Sequence, residues 1–239
     1  MDWTNEATRR ATLAKLSAEE LRPVIEAVPT VELIEIGRAA VATLGVYELV
    51  LVNEERIRDK LRAPDRIRAV LREAPKAARL EFIEGPSKGR KVLYNAALRR
   101  EEMRVREPGL LGMAGGIWLR HDNPLAKADA LHPVTDIGFG PLLDQLAKDF
   151  DASRPFGGHA RRDVGLDANG HWVCEFTVPP GVVGLDADRA KLTIDVGLGL
   201  PAAIEAYDKK GLLERHRYEL VRRNITVPSD YFEPKAFGV

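Results

Sequence analysis

The sequence predicts an α+β domain dominated by antiparallel β-sheet, and three observations carry that reading. From Val46 onward most apolar residues recur with period two and are rich in β-branched and aromatic types. The loops joining these runs are short and hold turn residues, which makes successive strands antiparallel. Helical spacing is confined to the start of the chain and to one central stretch, Phe139 to Phe150.

Taken in order, Ser17 and Glu20 form a capping box, in which each side chain satisfies an orphan backbone N–H. Pro23 lies inside the helix that follows and predicts a short or kinked element ending near Pro29. Thr30 reads as the N-cap of a second helix, Val31 to Leu44, closed by Gly45, with Leu33, Ile36, Ala40, Val41 and Leu44 on one face. Strands are predicted at Tyr47–Val52, Ala78–Ile83, Lys91–Tyr94, Glu102–Arg106 and Ile117–Arg120, while Arg66–Glu73 has helical propensity but strand neighbours. The central helix shows the stripe Phe139, Leu142, Leu143, Leu146, Phe150. Asp151 to Gly165 reads as a polar surface loop. A meander follows at His171–Val178, Lys191–Val196, Ala202–Tyr207 and Leu212–Val221, its first strand introduced by the turn Asp167–Gly170. Residues 1–30 are expected to form a helical extension and residues 31–239 a single domain.

Thirty-six basic residues balance thirty-six acidic ones among 239, so no electrostatic footprint for nucleic acid is present. Cys174 is the single cysteine, which excludes an intramolecular disulfide; it falls between Trp172 and Phe176 on an apolar strand face and is expected to be a buried, inert thiol. The longest uncharged apolar stretch, Gly109 to Leu119, is shorter than the roughly 20 residues of a spanning helix. The start Met-Asp-Trp-Thr-Asn has no basic and apolar regions of a secretory signal, so the expectation is periplasmic if a signal peptide has been removed and cytoplasmic otherwise.

Several stretches resemble a known bacterial family, domain of unknown function 1571. They are Asn53-Glu-Glu-Arg56, Lys88-Gly-Arg-Lys-Val-Leu-Tyr94 and Leu131-His-Pro-Val-Thr-Asp136, and near the end Gly199-Leu-Pro201, Tyr207, Tyr218-Glu-Leu, Asn224 and Asp230-Tyr-Phe. The resemblance runs from about Val31 to Phe237. It implies a fold like that of outer-membrane lipoprotein carriers, a curved antiparallel sheet or half-barrel wrapped around helices with an apolar cavity between them. It carries over no chemistry and no catalytic residues.

The residues themselves offer few reactive groups. No two of His121, His132, His159, His171 and His216 stand at the close spacing of a zinc motif, so no metal or cofactor is expected, though a site assembled from distant residues stays open. His132 with Asp136 is the best polar pair, because a carboxylate can orient an imidazole for acid–base work; the competing reading is a turn and cap formed by Pro133, Thr135 and Asp136. Ser17, Ser87, Ser153 and Ser229 lie in caps or turns, outside any nucleophile elbow. Gly112-Met-Ala-Gly-Gly116 has neither the lysine nor the spacing of a phosphate loop and reads as a tight turn or as an adaptable apolar flap.

The leading functional expectation is a non-catalytic binding or carrier protein for a lipid, an acylated polypeptide or another apolar ligand, with Tyr94, Leu111, Met113, Trp118, Tyr207 and Tyr218 as ligand-binding candidates. Peripheral membrane contact is compatible with this reading. The alternatives are an enzyme using His132 and Asp136 beside the same cavity, and a structural or interaction protein whose core is filled by its own side chains.

Overall fold

Period-two patterning becomes strand almost wherever the sequence shows it. The computed structural model describes residues 2–109, 115–124 and 130–239. Three helices come first, α1 (Glu6–Leu13), α2 (Ala18–Glu26) and α3 (Thr30–Ala42). Seven strands follow: β1 (Val46–Ile57), β2 (Lys60–Leu61), β3 (Asp65–Arg72), β4 (Ala77–Glu84), β5 (Lys91–Asn95), β6 (Glu102–Arg106) and β7 (Ile117–Arg120). After α4 (Phe139–Ser153) come β8 (Ala160–Leu166), β9 (Trp172–Thr177), β10 (Arg189–Asp195), β11 (Leu200–Asp208) and β12 (Gly211–Arg222), and the short α5 (Pro234–Phe237) ends the chain. Together the strands form an open antiparallel sheet in the order β7-β6-β5-β4-β3-β1-β12-β11-β10-β9-β8, with β2 paired to β1.

Three expectations change. Thr30 is the first residue of α3 rather than its cap: Pro29 takes the cap position at φ −59°, which its ring fixes. Arg66–Glu73 resolves as strand, because β3 is paired on both sides, to β1 and β4, and tertiary pairing overrides local helix propensity. Asp151–Gly165 is not all loop. Its second half is β8, an edge strand whose Arg161, Arg162 and Asp163 gave it a polar look, as charged edges commonly do.

The chain divides into two compact units, residues 1–43 with 142–213 and residues 44–141 with 214–239. In the first, α3 packs against β11 and buries Ile34, Ile36, Gly37 and Ala40. Residues 1–30 belong to this unit, and one buried cation fastens them to it. Arg9 is 1% exposed and donates to the carbonyls of Trp3 (2.5 Å), Val196 (2.9 Å), Gly197 (3.1 Å) and Leu198 (2.7 Å). Gly199, at φ +76°, is required beside it, since a Cβ there would stand 2.8 Å from the guanidinium. Arg161 closes the end of α2 in the same way, donating to the carbonyls of Ile25 and Val28 while pairing with Asp163 at 2.7 Å.

In the second unit, one face of β1 reads Tyr47, Leu49, Leu51, Asn53, Glu55, and it is the covered face. Phe139 stacks on Tyr47 at 5.6 Å and lies 5.5 Å from Tyr218. The Tyr47 hydroxyl bonds Glu73, whose other oxygen accepts from Lys76 at 2.8 Å. The opposite face of β3 and β4 is covered by the chain's end, where Phe232 packs on Val70 and Ala77 and Arg79 lies between the rings of Tyr231 and Phe237.

Within the first unit α3 passes α4 closely at Gly37, where an added Cβ would meet the Leu143 methyls at 2.7 and 2.9 Å. Gly37→Val should therefore destabilise the protein by about 1–3 kcal/mol through overpacking. Gly37→Ala should come out near neutral, because a helix-propensity gain of ~1 kcal/mol offsets the displacement of Leu143. Chemical denaturation measures both; a Val variant as stable as wild type would show that the passage is not tight.

Candidate functional site

Two places concentrate chemistry or space, one in each unit. In the first unit an apolar cavity lies between the sheet and two helices. Phe176 on β9 and Val178 just after it, Leu192 and Ile194 on β10 and Pro201 on β11 form one wall. Leu33 and Ile34 on α3, with Leu143, Leu146 and Phe150 on α4, form the other. The space between these walls, counted out to its open mouth, is about 780 Å³. Polar atoms enter the lining only through a few residues, among them Thr30, Asp149, His159 and Arg189.

The polar residues are held by their neighbours. The His159 ring stacks on Phe150, and its Nδ1 sits 2.7 Å from the hydroxyl of Ser153, which is fully buried and also reaches the Phe150 carbonyl. Burial holds the His159 imidazole below its ordinary pKa. The exposed Arg189 lays its guanidinium over the Tyr207 ring at 4.3 Å.

The second place is a polar cluster on the covered face of the second unit. Glu55 stands directly across from Glu214 in the β1–β12 register, and His216 and Tyr218 follow Glu214 on the same face. His132 Nε2 lies 2.7 Å from Glu214 Oε2, and the Leu131 N–H donates to Glu55 Oε2 at 3.0 Å. His216 Nε2 lies 3.4 Å from Glu214 Oε2 and 3.6 Å from Glu55 Oε1, while its Nδ1 is 3.3 Å from the Tyr218 hydroxyl. The hydrogen bond His132 donates to Glu214, opposed by burial, raises His132 to about 9. Burial pushes Glu214 upward, yet the His132 hydrogen bond and the fields of His216 and His132 leave it below the usual carboxylate value.

The sequence-derived candidates scatter over this structure. Tyr94, on β5, is buried and donates its hydroxyl to the Arg100 carbonyl at 3.0 Å. Trp118, on β7, is half-buried beneath Arg99 and Arg104. Tyr207 lies on β11 with its hydroxyl on Glu205, and Tyr218 belongs to the polar cluster. None of these four lines the cavity of the first unit. Leu111 and Met113, like most of the expected flap, lie outside the described residues. The carboxylate that orients His132 is Glu214 rather than Asp136, because β12 brings Glu214 against the ring while Asp136 takes the neighbouring Thr135 hydroxyl at 2.9 Å.

Residues 45–236 match the family described as protein of unknown function DUF1571. The chain belongs to that family. Among curated proteins nothing matches it. Several solved structures of low identity are similar to it. An uncharacterised conserved protein from Thermus thermophilus shares 12% identity, covering 87% of this chain and 93% of that one, with a TM-score of 0.45. The lipoprotein LppX of Mycobacterium tuberculosis shares 12% over 83% of this chain and 99% of its own, with a TM-score of 0.46. A LolA superfamily protein from Nitrosomonas europaea shares 13% over 87% and 99%, with a TM-score of 0.38. Among the described residues no helix is long and apolar enough to cross a membrane.

Cys174 bears out its expected character: it is fully buried on β9, and burial foremost pushes its thiol up to about 12. In mildly alkaline buffer the thiolate fraction is then about a thousandfold below that of an ordinary cysteine. A thiol reagent should label the native protein at least two orders of magnitude more slowly than the unfolded chain, by roughly this measure. Equal rates would contradict the burial.

Proposed function

We propose that this DUF1571 protein is a non-catalytic binding protein that takes an extended apolar chain, borne by a lipid or an acylated polypeptide, into the cavity of its first unit. The observation that carries the reading is the lining: aliphatic and aromatic side chains from α3, α4, β9, β10 and β11 face one open-mouthed space. Each methylene moved from water into such surroundings contributes about 0.8 kcal/mol. A chain of about ten methylenes thus offsets the several kcal/mol lost in ordering a ligand. Thr30, Asp149, His159 and Arg189 add a few polar groups to a largely apolar lining, which suits a ligand with one polar end. Periplasmic placement, the expectation if a signal peptide has been removed, forms part of the same proposal.

A fluorescent fatty-acid analogue tests it. The wild-type protein should bind it saturably, at one site. Leu146→Trp fills the cavity from α4 with an apolar group and should weaken binding by about tenfold or more while leaving the melting temperature nearly unchanged. Leu192→Asp, which brings an unpaired charge to the sheet wall, should abolish binding. Absence of saturable binding by wild type, or equal affinity in the Trp variant, would refute the proposal.

A further inference from the structure

The cluster in the second unit has no role in that reading, and its composition is unusual for a covered sheet face. Glu55 is 5% exposed and directly opposes Glu214 across two antiparallel strands, an arrangement that is destabilising when both groups are charged. His216 Nε2 is fully buried, makes no hydrogen bond, and points between the two carboxylates. A nitrogen so placed has two carboxylate oxygens within ion-pair reach but makes none of the hydrogen bonds that buried polar atoms ordinarily make.

We infer that Glu55, Glu214 and His216 form a binding site for a single divalent transition cation of the Zn²⁺ class. Their donor atoms all lie within 4.8 Å of one another. Tetrahedral ligands bonded to zinc at 2.0–2.1 Å stand about 3.3 Å apart. The His216 nitrogen already lies 3.4 and 3.6 Å from the two carboxylate oxygens. The cation would neutralise the opposed carboxylates and complete the coordination of the orphan imidazole nitrogen.

Each ligand also has an outer partner of the kind that orients metal ligands. The Leu131 N–H holds Glu55 Oε2 at 3.0 Å and leaves Oε1 turned toward His216. His132 holds Glu214 at 2.7 Å on one lone pair of an oxygen that has two. Tyr218 stands 3.3 Å from His216 Nδ1, so an Nδ1–H donated to its hydroxyl leaves the Nε2 lone pair for the metal. Three protein ligands leave a fourth coordination position for water. His132, whose side chain is 39% exposed, marks the solvent side of the cluster.

Calorimetric titration of the chelator-stripped full chain with Zn²⁺ alone tests the site. One Zn²⁺ should bind per chain. His216→Ala and Glu214→Gln should each weaken binding by more than about 100-fold, and His132→Asn by about tenfold, as an outer partner does. Glu55→Gln separates loss of the site from loss of the fold: it removes the like-charge pair, so the metal-free variant should be at least as stable as wild type yet bind no Zn²⁺. Wild type without stoichiometric binding would overturn the inference. So would Zn²⁺ binding that survives unchanged in Glu55→Gln and His216→Ala, since the ion would then sit on other histidines.

Discussion

The close passage of α3 over α4 at Gly37 and Leu143 is the constraint on which the first unit depends. A glycine there leaves room for the Leu143 methyls that no side chain would leave. Leu33 and Ile34, on α3 before Gly37, and Leu146 and Phe150, on α4 after Leu143, then line a cavity instead of closing on one another. Arg9 ties α1 to the carbonyls of the loop between β10 and β11, and Arg161 ties β8 to the carbonyls at the end of α2. A largely apolar wall beside a helix pair is what an apolar ligand needs.

The second unit solves a different problem. Its covered face carries the aromatic contact of Tyr47, Phe139 and Tyr218, and then Glu55, Glu214 and His216 continue the same face along β1 and β12, with His132 set against it from the segment before α4. Burying those groups is favourable only if they neutralise one another or share a cation. His132 supplies one counter-charge to Glu214, and the peptide N–H of Leu131 supplies a dipole to Glu55. Among the described residues of this face, His216 Nε2 and, directly across from it on β1, Asn53 Oδ1 are buried without a hydrogen bond.

Much of the fold was legible because β-strands with one covered face announce themselves by alternation: β6 and β7 fall where the sequence places them, residue for residue. What escaped had a local pattern opposed by its tertiary setting. The charges of β8 belong to an edge strand, and β3, ambiguous between helix and strand in the sequence, is decided by pairing with its two neighbours. The polar cluster was half legible. Alternation at Glu214, His216 and Tyr218 was present in the sequence, and Glu55 continues the apolar stripe Tyr47, Leu49, Leu51. Neither stretch shows alone that the two meet, because that depends on pairing between strands far apart in the chain. Two stretches that carried the family resemblance, Asn53–Arg56 and Leu131–Asp136, contribute Glu55 and His132 to this one place. The cavity was foreseen as an element of the fold, but its lining was not, since Leu146 and Leu192 look like any core residue in sequence.

The central claim is that the first unit holds an extended apolar ligand. Native mass spectrometry of protein purified without detergent tests it most directly. The account predicts a species heavier than the polypeptide by one ligand, released by organic extraction and missing from Leu146→Trp. Protein of polypeptide mass alone, which also forms no one-to-one adduct when a long-chain fatty acid is added, would contradict it.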